Sequence, residues 1–151
     1  NFPSLDALNT IYSTFLLGHL AKFSEEIQEC GKRMVQAALQ LHKRVAATFR
    51  KTASNFHYEF NVRHVAGVFQ GMLMGLPAQF QDPLKLTQLW LHESERVYGD
   101  RLVSVADLKK YKELAVEQAK KFFKVCVLVL YVNNKYPMCV IIYALCVAFF
   151  L

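Results

Sequence analysis

The residues most able to do chemistry in this chain are Arg63 and His64, inside "FHYEFNVRHVAGVFQG", residues 56–71. Asn61 reads as an N-cap. Val62, Val65, Val68, Phe69, Met72 and Leu73 then recur at helical spacing, so Arg63 and His64 fall in a first helical turn. That turn carries the positive end of the helix macrodipole and favours acids over cations. From position alone a solvated arginine is the ordinary account, and the N-cap before it, the basic residue after it and the helix end together point to an anion. Helix N-termini attract anions, and a planar guanidinium matches phosphate oxygens two at a time. A solvated arginine whose stem covers apolar surface is the plain alternative.

Other chemistry is sparse. No G-x-x-x-x-G-K-[ST] phosphate loop occurs, nor paired carboxylates for a magnesium ion. His92-Glu93-Ser94 suggests half of a zinc-protease motif, but the second histidine would stand where Arg96 is. These residues read instead as a polar helix face or a contact to a neighbour. His19, His42 and His57 stand singly, and no nucleophile has an adjacent base. The expectation is no catalytic residue, no metal site and no turnover by this chain alone.

Five helical segments must position these groups. Pro3 and Ser4 open the first, with an apolar stripe of Leu5, Leu8, Ile11, Tyr12, Phe15 and Leu16 running to about Leu20. Ser24 caps the second, Glu25 and Glu26 suit its first turn, and Gly31 is a potential kink. Residues 50–60 connect it to the third, which Gly75 and Pro77 end. Asp82 and Pro83 start the fourth, whose inner face is Leu86, Leu89, Trp90 and Val97, with Gly99 expected as a left-handed end. Ser104 and Asp107 resemble a capping box for the fifth, followed by Leu108, Tyr111, Ala115, Ala119 and Phe122. The expected fold is an all-α bundle of about five helices over residues 4–124, with Trp90, Leu89, Phe69, Val65, Leu39 and Phe15 interior.

The division is into a helical domain, 1–124, and a hydrophobic tail, 125–151. The tail has one charge, Lys135, and its last run of 14 residues falls short of the ~18–20 of a membrane helix. A marginal membrane segment, a core hairpin and translated non-coding sequence are its three readings. The chain carries a formal net charge of +6 and a pI near 9.2. It has no basic stripe interleaved with aromatics, so no nucleic-acid partner is expected. Cys30, Cys126, Cys139 and Cys146 are not spaced as metal or redox pairs, which suits reduced thiols. No signal peptide is visible, and "NFPSLDAL" lacks an initiator methionine, so a piece of a longer protein is expected.

"FHYEFNVRHVAGVFQGML" resembles the HY-x-FN-x-R-D-x-x-x-V-F-Q-G segment of dynein heavy chains, within the small helical lid of the third AAA+ module. "LWLHESERVYGDRL", residues 89–102, resembles the signature that follows it. "NFPSLDALNTIYSTFLLGHL" and "VQAALQLHKRV" resemble the entry and second helix of the lid. The resemblance covers about residues 1–124 in order and leans to axonemal heavy chains. It implies a fragment of a microtubule motor ATPase in the cytoplasm and cytoskeleton, at the cilium axoneme. The partners implied are the rest of the same heavy chain, its large AAA+ subdomain and a neighbouring module. Microtubules would be reached only through distant parts of the motor. ATP or ADP with magnesium belongs to the parent motor, and none is expected tightly bound here.

Carried over, Arg63 is the sensor-2 arginine that reaches nucleotide phosphates from the lid. His64, beside it, stands where the family has Asp, which puts the orientation of Arg63 in question. Lys51 stands where Pro is common. Beyond Phe123 the match stops, and the tail reads as a read-through product ahead of a membrane segment. The competing function is a stand-alone helical interaction protein with a C-terminal membrane anchor.

Overall fold

A computed structural model of the chain describes residues 4–123. The readings of the tail, hairpin or membrane segment, fall outside these residues. Five α-helices form: α1 (Leu5–Leu20), α2 (Glu25–Thr48), α3 (Val62–Leu73), α4 (Pro83–Tyr98) and α5 (Val105–Phe123). A 3-10 turn, Gly99–Arg101, separates the last two. No strand occurs among the described residues, and none of their helices is long and apolar enough to cross a membrane.

The helix starts follow from local chemistry. Ser4 Oγ accepts from the Ala7 N–H at 3.2 Å. Asp82 accepts from the Leu84 N–H at 3.0 Å, with Pro83 at the position that needs no donor. Ser24 has the extended backbone of an N-cap but makes no side-chain cap bond, leaving Glu25 and Glu26 to favour that end. Ser104 Oγ accepts from the Ala106 N–H at 3.2 Å, while Asp107 is engaged by Tyr58.

Two glycine readings change. Gly31 does not break α2, which runs unbroken for 24 residues. Its bare Cα is where Leu20 of α1 packs, and a side chain there would collide with Leu20. Gly99 is right-handed, φ −64° and ψ −44°. The chain tightens there into the 3-10 turn instead of reversing, and a Cβ would come within 3.1 Å of Glu95 Cγ.

The long α2 is central, packing on α1, α5, α4 and α3, while α3 pairs chiefly with α4. Trp90 is fully buried and its ring lies 5.6 Å from that of Phe123. Leu39, Val65, Phe69 and Leu89 are buried as expected. Each large apolar side chain so buried contributes about 1.5–3 kcal/mol. Phe15 is a correction: it is 64% exposed, with Leu5 and Ile11 also exposed. The inner line of α1 is Leu8, Tyr12, Leu16 and Leu20, spaced four apart, with Tyr12 stacked on Phe69 of α3 at 4.6 Å. Apolar residues surround much of α1, so its sequence marks a stripe broader than the face that α2 and α3 cover.

Candidate functional site

Two local devices fix the start of α3. Asn61 Oδ1 accepts from the Arg63 N–H at 3.0 Å. In return Nδ1 of His64 accepts from the Asn61 N–H at 2.9 Å, completing a capping box in which histidine plays the part usual for glutamate. The role needs a neutral ring with its proton on Nε2. His64 is buried, 8% exposed, with Phe60 at 5.8 Å and Tyr98 at 6.4 Å between ring centres. Burial lowers its pKa and the charge of Arg101 adds to that, against smaller opposing effects of the Asn61 carbonyl and Glu59. His64 is thus a neutral cap that turns inward, while its neighbour Arg63 faces solvent.

Arg63 lines an open groove of about 500 Å³, together with Phe56, His57, Glu59, Asn61, His64 and Arg101. Arg63 and Arg101 are both exposed. Neither guanidinium has an ion-pair partner among the described residues. The groove's one carboxylate, Glu59, is held by Lys51 at 3.0 Å. The groove is therefore electropositive.

Tyr58 fastens the loop that forms one wall. Its hydroxyl donates to Asp107 Oδ2 at 3.0 Å and accepts from the Val103 N–H at 3.1 Å. Its buried ring meets Phe49 and Phe60 at about 6 Å, a normal aromatic separation. His57 and Glu59, on either side of Tyr58, are thereby held against the segment that follows Arg101.

The sequence singles out Arg63 and His64, and the fold sets them side by side with opposite faces. Arg101 was missed, although it lies in the "GDRL" end of a quoted signature. Lys51, a departure from the family pattern, supplies the ion pair to Glu59. His92, Glu93 and Arg96 do form a polar cluster, with Glu93 buried, His92 half-buried and Arg96 exposed. Glu93 accepts from Arg96 Nε at 2.9 Å and Nη2 at 2.8 Å, and lies 3.2 Å from Nδ1 of His92. No group of three or more potential ligands for a metal ion occurs among the described residues.

Residues 34–128 match the AAA+ lid domain. The chain belongs to the AAA+ lid family. The lid is also 58% identical over 137 residues to the dynein alpha chain of the flagellar outer arm from Chlamydomonas reinhardtii. It is 44% identical over 126 residues to a ciliary dynein beta chain of Tripneustes gratilla, and 45% identical over 125 residues to human dynein axonemal heavy chain 17. These matches cover 91%, 82% and 82% of the lid chain. The chain spans 3% of the length of each of these relatives. The lid is therefore a segment of dynein heavy chain of the axonemal or ciliary kind.

Proposed function

We propose that this lid senses nucleotide in the third AAA+ module of a dynein motor ring, with Arg63 as its sensor-2 arginine. One observation carries the reading: Arg63 projects from the first turn of a firmly capped helix, unpaired, onto an electropositive groove. The helix dipole opposes a cation there, so the position is intelligible once an anion arrives. The phosphate chain of a nucleotide held by the large subdomain is that anion. A guanidinium aimed at phosphate stabilises charge without chemistry of its own, which suits a sensor. Magnesium and the hydrolytic machinery would come from the rest of the heavy chain, and microtubule binding from more distant parts.

The test is Arg63→Ala in the full heavy chain, read as nucleotide affinity at this module and thermal stability of the lid. Loss of a charge-assisted contact should cost about 1.5–3 kcal/mol of binding. Lysine should restore only part, because a point charge cannot reproduce a planar fork. Stability should hold steady or rise slightly, since a cation leaves the positive helix end. Lower stability with unchanged affinity would reduce Arg63 to a structural arginine.

A further inference from the structure

Arg101 lies 38 positions beyond Arg63 in sequence, on the 3-10 turn after α4, yet lines the same groove. We propose that Arg101 is a second phosphate-contacting arginine, so that the groove takes the phosphate chain of a nucleoside di- or triphosphate and not a single anionic group. The inference rests on the sensor reading of Arg63 and adds a second contacting residue to it.

Two observations carry it. First, both guanidinium groups are exposed and without an ion-pair partner among the described residues, while the groove's one acid is engaged by Lys51. Two uncompensated cations on one small concave surface repel each other, and a single carboxylate relieves only part of that cost. A chain of two or three phosphates offers separate oxygens to each fork.

Second, both arginines are carried on backbone that is held in place. The Asn61–His64 capping box fixes the turn bearing Arg63. The Tyr58 hydroxyl ties the opposite loop to Val103 and Asp107, directly after Arg101. Pre-set donors lose little on binding, which is how positively charged sites gain affinity.

The experiment uses the full heavy chain with its other nucleotide sites silenced by substitution of their P-loop lysines. The probes are fluorescent N-methylanthraniloyl ADP and the matching AMP. Arg101→Ala should weaken ADP about tenfold, the loss expected for one charge-assisted contact. AMP should change less than twofold, because it lacks the outer phosphate. Arg101→Lys should recover part of the ADP affinity, and the melting temperature of the lid should not move, since the side chain is exposed. Unchanged ADP affinity in Arg101→Ala, with Arg63→Ala still weakening it, would overturn the Arg101 assignment and leave the sensor reading standing. If neither variant weakens ADP, both readings fall. Equal losses for ADP and AMP would mean that Arg101 supports the fold and not the phosphates.

Discussion

The carboxylate of Glu93 on α4 lies against the bare Cα of Gly71 on α3, in the space that any side chain at residue 71 would occupy. Glu93 is 8% exposed and is clamped by Arg96 and His92. Packing thus demands a glycine at residue 71, because its bare Cα lets α3 and α4 close over an ion pair.

Gly71→Ala should destabilise the bundle by about 1–3 kcal/mol, the usual cost of overpacking. The loss should shrink in the double variant with Glu93→Ala, because the colliding group is gone. Urea unfolding of the four chains of the cycle measures the coupling. Additive losses would show that the contact does not govern the helix pair.

Acid should weaken the fold through two buried imidazoles. Burial, with the charge of His64 assisting, pulls His42 down to about 4, and His64 is also below its ordinary value. Both are neutral when folded, so the unfolded chain binds protons first. Stability is complete above about pH 6.5 and falls as pH drops toward the folded pKa values. For His42 the shift amounts to about 3 kcal/mol across that window. Around His64 stand Arg101, which opposes its protonation, the Asn61 carbonyl and Glu59, which favour it, and the Tyr98 hydroxyl, whose own pKa burial raises. His64→Asp should flatten the part due to His64, and His42→Leu the larger part. Thermal melts between pH 4.5 and 7.5 read both slopes. If the acid also orients Arg63, His64→Asp should tighten nucleotide binding in the full motor.

Glu93 adds a separate limb at lower pH. Burial works to raise its pKa, but hydrogen bonds from His92 and Arg96 and the charge of Arg96 outweigh it, leaving it below the ordinary carboxyl value. Its contribution is present above the unfolded pKa and fades as pH falls through the folded one. Glu93→Gln should remove this limb and leave the histidine limb intact, which melts extended below pH 4.5 would reveal.

Phe15 and Trp90 should respond oppositely to truncation. Trp90→Ala empties the centre of the bundle and should cost about 3–5 kcal/mol. Phe15→Ala trims an exposed ring and should stay within about 0.5 kcal/mol. Chemical unfolding of the two variants distinguishes the inner and outer faces of the chain.

Tyr58→Phe deletes a hydroxyl that serves both Asp107 and Val103. The expected loss is about 1–3 kcal/mol, because a carboxylate bond goes and a backbone donor is stranded. Amide exchange at Val103 should accelerate in step. An unchanged exchange rate would show that the hydroxyl does not anchor the loop.

Helix number, order and start points were legible in the sequence, because Ser4, Asn61 and Asp82 act within a few residues of themselves. What was not legible depended on distant neighbours. Phe15 looks like core until α2 and α3 choose the other side of α1. Gly31 looks like a breaker until Leu20 arrives from another helix. The site divides in the same way. Arg63 could be singled out from its conflict with the helix dipole, a local effect. Arg101 could not, since nothing near it in sequence says that the 3-10 turn will face the start of α3. His64 was read as a defect in the family pattern, and the structure makes it the acceptor of the cap, because a neutral imidazole nitrogen can do for one N–H what a carboxylate does.

The phenol of Tyr58 has a mechanical meaning. It joins the loop bearing His57 and Glu59 to the first turn of α5 and to the backbone two residues past Arg101. Arg63 rides on α3, which pairs chiefly with α4 and not with α5. The groove is therefore a caliper. One jaw is α3, the other is the loop of His57 and Glu59, and a single oxygen atom is the rivet that holds that loop to the exit of the 3-10 turn and to the root of α5.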